Sequence, residues 1–118
     1  MRSPPDLQRV LDGLGDADCR RIIGELDEAR TASEIADACD IHLSTVYRKL
    51  ELLTGAGLVE ERTRLRDGGH HTHEYEPAFE SIQISLDGSQ QFDISVVMRE
   101  RTAAAQLTTI WTEIRETL

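Results

Sequence analysis

The sequence predicts an α+β chain in which a cluster of short helices precedes two β-hairpins and a final helix. Three observations carry that prediction. Up to Leu53, apolar residues recur at three- and four-residue intervals, the period of a helix with one inward side. Beyond Gly57 the pattern changes to alternation, the period of a half-buried strand. From Leu107 the helical spacing returns, with Leu107, Ile110, Trp111, Ile114 and Leu118 on one side.

Taken in order, residues 1–5 read as a loose terminus with no apolar run behind it, so no secretory signal is expected. No stretch reaches the length of a membrane span, and the default is a soluble cytoplasmic protein. Asp6 to Leu14 places Leu7, Val10, Leu11 and Leu14 on one side of a short helix. Gly15-Asp16 interrupts it, and Asp16 can cap a second helix in which Cys19, Ile22, Ile23 and Leu26 repeat the spacing. Thr31-Ala-Ser-Glu34 fits a capping box, with Ser33 as a rival cap. Ile35, Ala36 and Cys39 then form an inner side.

After the polar turn Cys39-Asp40, the stretch Ile41 to Leu53 presents Val46, Leu50 and Leu53 at i, i+4 and i+7. Ser44, Thr45, Arg48 and Lys49 fall on other sides, with Tyr47 near the edge. A short helix, a tight turn and a second helix with a polar front make a helix-turn-helix. Many such turns carry Gly where this chain has Asp40, and Asp tolerates unusual backbone angles.

Leu58-Val59 begins a strand that runs through Arg66. Arg62, Arg64 and Arg66 are two apart, so their guanidinium groups face one way, either toward DNA or as a solvated strand face paired with Glu60, Glu61 or Glu74. Asp67-Gly68-Gly69 supplies a turn, and His70 to Glu76 returns. A two-stranded ribbon directly after the polar-fronted helix is a wing. Pro77 ends it. Ser81–Leu86 and Phe92–Val96 alternate around Asp87-Gly88-Ser89, which predicts a second hairpin with one apolar face. Met98 onward reads as helical. The stripe Leu107, Ile110, Trp111, Ile114 and Leu118 either folds back on its own domain or meets a second copy, and its terminal position and only Trp favour a dimer interface. The expected division is a winged helix-turn-helix domain over 1–78, then a hairpin and dimerising C-terminal helix over 79–118.

The charge balance argues both ways. There are 22 acids and 13 bases, a net charge of −9. Residues 1–40 carry five arginines against ten acids, and residues 77–118 three against six. Residues 41–66 carry five bases against three acids, net +2, so positive charge collects on the polar-fronted helix and the strand after it. An acidic body around a basic strip permits a footprint on double-stranded DNA. Hydroxyl and guanidinium groups suit base edges and phosphates. On this reading Ser44, Thr45 and Arg48 read bases, while Tyr47, Lys49, Arg62, Arg64 and Arg66 hold the backbone or enter the minor groove. His42, His70 and His71 complete the contact set. Lys49 is the only lysine among the 13 bases. Acid-rich, lysine-poor, aromatic-poor composition resembles that of proteins from salt-accumulating halophiles, the alternative being a merely acidic mesophilic chain.

The run from Val10 to Ile23, then Thr31-Ala-Ser-Glu-Ile-Ala, then Leu43-Ser-Thr-Val-Tyr-Arg-Lys-Leu-Glu-Leu-Leu-Thr-Gly-Ala-Gly-Leu-Val, resembles ArsR-type winged-helix transcriptional regulators, most like small ones of halophilic archaea. The resemblance spans roughly residues 7–76. It implies a dimer whose helix bearing Ser44, Thr45 and Arg48 enters the major groove while the wing touches backbone. The family's Cys-x-Cys sensing pair beside or within that helix is absent here.

His70, His71 and His73 beside Glu74 invite a metal, but alternation puts His71 and His73 on one face and His70 on the other, so one strand offers two ligands. No metal and no cofactor is expected. Cys19 and Cys39 lie on apolar helix sides, where a thiol behaves as a small hydrophobe. No nucleophile–base pair, phosphate loop or paired carboxylate is visible, and the chain does not read as an enzyme. The alternatives to the regulator are a winged helix that binds protein, favoured by the net −9, and a metal- or redox-responsive variant.

Overall fold

The computed structural model describes residues 6–65, 69 and 71–99. Within them run α1 (Leu7–Gly15), α2 (Ala17–Gly24), β1 (Arg30–Thr31), α3 (Ala32–Cys39), α4 (Leu43–Gly55), β2 (Val59–Leu65), β3 (His71–Pro77), β4 (Phe79–Leu86) and β5 (Phe92–Met98). Helices followed by antiparallel strands make the α+β winged helix-turn-helix that the sequence predicts. The expected C-terminal helix and the stripe from Leu107 to Leu118 lie outside the described residues, as do Arg66 and His70.

Each helix starts where a polar side chain satisfies its open N–H groups. Asp6 accepts from the Arg9 N–H at 3.1 Å. Thr31 accepts from the Glu34 N–H at 3.1 Å while Glu34 accepts from the Thr31 N–H at 2.8 Å. That reciprocal box selects Thr31 over Ser33. Helix α1 turns Val10 and Gly13 inward and leaves Leu11 42% exposed, so Leu11 is not the core position its spacing suggested. The reason is close approach. A Cβ on Gly13 would stand 3.3 Å from Leu58 and 3.4 Å from Leu53, so a bare backbone lets α1 settle against α4.

The helix-turn-helix turn is Asp40-Ile41-His42. Asp40 adopts the left-handed region at φ 54°, ψ 48°, as an Asp can without the cost a branched residue would meet. Helix α4 begins at Leu43, two residues beyond the start read from Ile41, because the His42 ring Nδ1 accepts the Ser44 N–H at 3.3 Å. Its far end is a Schellman motif. Gly57, at φ 77°, donates to the Thr54 carbonyl and Leu58 donates to that of Leu53. Val46, Leu50 and Leu53 are all buried, joining Val10, Cys19, Ile22, Leu26, Ile35, Cys39, Leu58, Val59 and Tyr75 in one core.

The ribbon has a third strand. Arg30–Thr31 pairs antiparallel with Tyr75 and Glu74, giving a sheet of order β1–β3–β2. Its partner β2 runs in register from Val59↔Pro77 to Leu65↔His71. The second hairpin pairs Ile82↔Val96, Ile84↔Ile94 and Leu86↔Phe92 on its apolar side. Met98 belongs to β5, opposite Phe79, which corrects the reading of Met98 as helical. The run Val96-Val97-Met98 suits either state, and the free edge of Phe79 decides it. Ala78 pins the two sheets together: its N–H donates to the Leu58 carbonyl, and its own carbonyl accepts from Arg99. No helix of the described residues is long and apolar enough to cross a membrane.

One carboxylate ties the helices to each other. Asp16 Oδ1 caps α2 by accepting the Cys19 N–H at 3.0 Å, and its Oδ2 accepts from Lys49 Nζ on α4 at 2.6 Å. The Lys49 ammonium, and after it the Cys19 N–H, hold the Asp16 carboxyl below its ordinary 3.8. Asp16 in turn raises Lys49 above its ordinary 10.5. A carboxyl with a depressed folded value stabilises above its unfolded value and ceases to as pH falls through the folded one. The raised lysine loses its contribution only as pH climbs through its own folded value.

Two stability predictions follow from this geometry. Asp16→Asn keeps a cap and loses the charge, so urea unfolding is expected to show a stability gap from the wild type that is level near neutrality and closes as pH drops below 3.8. Asp16→Ala removes the cap as well, at a further cost of about 1 kcal/mol. Gly57→Ala meets open space but forces φ 77° on an L side chain. It should lose about 1 kcal/mol in the same assay, and an unchanged midpoint would contradict the left-handed turn.

Candidate nucleic-acid interface

Helix α4 has three distinguishable sides. The core holds Val46, Leu50 and Leu53. A second side ends at Lys49, whose side chain is only 18% exposed and is engaged by Asp16. The third faces solvent and carries Ser44, Tyr47 and Arg48, with Thr45 half-buried at its border. Tyr47 is 52% exposed, nearer the middle of that front than the edge the spacing gave it. Glu51, one turn on, is exposed as well. The cation expected of Lys49 at the phosphate backbone is therefore already committed within the fold.

His42 joins the start of this front. Its Nδ1 lies 2.9 Å from the Ser44 hydroxyl and also accepts the Ser44 N–H. An accepting Nδ1 leaves the proton of a neutral imidazole on Nε2. The cap thus orients both His42 and Ser44.

The wing differs from the simple arginine row. Arg62 and Arg64 do share a face, opposite Glu74 and Thr72 in the ladder. Each then reaches diagonally to a carboxylate on β3: Arg62 to Glu76 at 3.7 Å and Arg64 to Glu74 at 3.5 Å. Glu74 is 2% exposed, so Arg64 meets a buried acid. Tyr75 and Val59 are buried in the core, and strand alternation puts Glu61, Thr63, Leu65, His71 and His73 on their side of the ribbon. The arginines lie on the other side. His73 Nδ1 stands 2.7 Å from Glu61, and His71, opposite Leu65, is exposed. No trio of His, Cys, Asp or Glu among the described residues is arranged to hold a metal ion.

This pairing extends along the chain. Arg21 meets Asp18, and Arg30 meets Asp27 and Glu28. Arg9 and Arg20 donate to the carbonyls of Gly55 and Leu14. Among the described residues, Arg48 on the front of α4 and Arg99 at the end of β5 are the cations whose side chains have neither a carboxylate nor a carbonyl partner. Both cysteines are buried and unbridged. Burial, and after it the Asp16 charge, pushes the Cys19 thiol up to about 11. Burial also raises Cys39.

Of the wing partners the sequence offered, Glu74 is the one Arg64 meets, whereas the Arg62–Glu76 and Asp16–Lys49 pairs were not foreseen. Spacing within one element reveals which residues share a side, but the partner on another element depends on packing.

Comparison with known proteins agrees with this architecture. A family model described as a helix-turn-helix domain matches residues 14–62. No curated protein matches the sequence. A homodimeric winged helix-turn-helix DNA-binding domain from Mycobacterium bovis, fragment 1–100 of a possible ArsR-family transcriptional regulator solved by NMR, is 30% identical with a TM-score of 0.52. That match covers 61% of this chain and 63% of the other, so this chain spans less than two thirds of that structure's length. A crystal structure of a possible transcriptional regulatory protein, also fragment 1–100 and from Mycobacterium bovis, is again 30% identical at TM-score 0.52, covering 61% of this chain and 73% of the other. The helix-turn-helix model over residues 14–62 and these two structures make the chain a winged helix-turn-helix protein, similar to one described as possibly of the ArsR family.

Proposed function

We propose that this protein is a homodimeric, sequence-specific DNA-binding transcriptional regulator. The observation that carries the reading is Arg48: a guanidinium exposed on the front of α4, flanked by Ser44 and Tyr47, where most other cations among the described residues are engaged by carboxylates or carbonyls. Ser44, Thr45 and Arg48 address base edges in the major groove, and Tyr47 and His42 the adjoining phosphates. Arg62 and Arg64 reach the backbone only in competition with Glu76 and Glu74, while Arg66, His70 and His71 extend the wing's share. Lys49 supports the interface indirectly by fixing α4. The homodimeric state of the Mycobacterium bovis domain supports two copies here. Residues 1–78 would hold the DNA-binding unit and 79–118 the dimer unit, with recognition helices about 34 Å apart on a near-palindromic site.

A second reading, a winged helix that binds protein, draws on the net −9 and on exposed Glu51. A labelled duplex separates the two. Saturable binding abolished by changing Arg48 and Arg64 together favours the regulator, and absence of binding to any duplex in a random pool favours the protein partner. Within the regulator reading, Arg48→Ala is expected to cost about 1–3 kcal/mol and to relax one base position. An unchanged base preference in a binding selection would remove Arg48 from base readout.

The acid-rich, single-lysine composition further suggests a salt-rich cytoplasm of the halophilic archaeal kind. Counterion release ordinarily makes DNA binding fall steeply with salt. Two acidic copies brought near phosphate instead require cations between like charges. The expected slope of log affinity against log potassium chloride is shallow or reversed; a steep ordinary loss would overturn the halophilic reading.

A further inference from the structure

The second hairpin has an apolar face that the described residues leave largely open. Ile82 and Ile94 rest against the core at the hairpin's base, but Ile84 is 44%, Leu86 54% and Phe92 69% exposed toward its tip. Adjacent apolar side chains on one sheet face, with alternates that are polar apart from Val97 on the other, are the mark of a covered surface rather than of scattered exposure. Chain direction shows where this face lies. Strand β3 runs away from the wing tip, and β4 leaves from its far end at Ala78. The open face therefore stands off the base of the wing.

Resting on the dimeric reading above, we infer that this face is the seat of the Leu107–Leu118 stripe of a second copy, each copy exchanging its stripe for the other's hairpin. Lengths agree. From Ile82 to Leu86 the face measures about 13 Å at strand rise, and the eleven-residue spacing of the stripe, if wound with the period its sequence carries, would measure about 16 Å. Area favours the second copy. Eight large side chains at roughly 100 Å² each bury about 800 Å² in one contact, and the reciprocal pair buries about 1,600 Å², the size of a standard stable interface. A two-fold dimer must use the same patches on both copies, and this exchange closes both hairpins and both stripes with one operation.

The only Trp, Trp111, lies in the stripe and reports on it. The full chain is examined by light scattering and by Trp111 emission, wild type beside Leu86→Asp/Phe92→Asp. The expected result is a wild-type dimer, a monomeric variant whose emission moves to that of exposed indole, and an unaltered unfolding transition of the winged domain. In a second measurement, a tagged copy carrying Leu86→Cys is mixed with an untagged copy carrying Ile114→Cys. A disulfide joining tagged to untagged chain is expected; Cys19 and Cys39 are buried and stay out of exchange. A bond that forms only within one chain carrying both substitutions would overturn the exchange in favour of a stripe seated on its own hairpin. A variant that remains dimeric with unmoved emission would overturn the hairpin as the seat while leaving the dimeric regulator standing. A monomeric wild type that binds a duplex would overturn the dimeric reading itself.

Discussion

The arrangement of this domain turns on one carboxylate with two occupied oxygens. Asp16 closes the first turn of α2 with one oxygen and grips Lys49 with the other. A helix packed by Val46, Leu50 and Leu53 alone could roll on its apolar stripe, because aliphatic contact has little directional preference. A charged hydrogen bond at a fixed azimuth removes that freedom. Partly buried ion pairs give back much of their attraction as desolvation, so the value of this one lies in register more than in gross stability. With α4 fixed in rotation, Ser44, Tyr47 and Arg48 are left outward, and the outward set is the part of the helix that can meet a groove.

The acidic excess has a related consequence. Most described cations are matched within the fold, and on the wing the matching is geometric. Antiparallel strands place Arg62 opposite Glu74 and Arg64 opposite Thr72, while the twist brings each arginine toward the next acid along the diagonal. The wing thus presents charge pairs where its sequence alone presents a row of charges. Against that neutralised background a single unmatched guanidinium on α4 counts for more, and exposed Glu51 one turn away limits how far toward the helix's end an acidic backbone would be welcome.

How far the sequence disclosed all this depends on how local each cause is. Caps were legible because they need only four consecutive residues: Asp16 and the Thr31–Glu34 box form as the sequence suggests. The inner sides of α2, α3 and α4 were legible because burial imposes its period. Arg30–Thr31 was not, since two residues carry no periodicity and become a strand only because β3 offers an edge. Leu11 misled because a nearby glycine, which has no hydropathy to display, governs how α1 lies on α4. Met98 misled because a β-branched apolar run ends in a residue that either structure accepts. Within the candidate site, the hydroxyl and guanidinium front of α4 was legible, whereas the engagement of Lys49, 33 residues from Asp16 in the chain, required the packed structure.

The same carboxylate bears on whether thiols could serve as a sensor. A redox- or metal-responsive cysteine must be reachable and readily deprotonated. Cys19 donates its backbone N–H to Asp16, and its buried thiol therefore sits beside a fixed negative charge. Forming a thiolate there would place a second anion against the first, within reach of the Lys49 ammonium that Asp16 already engages. Either the thiolate would draw Lys49 away and release α4, or it would remain uncompensated in the core. The interaction that orients the exposed front of α4 is thus the one that opposes activation of Cys19. In this chain, firm placement of α4 and thiolate sensing at that position work against each other.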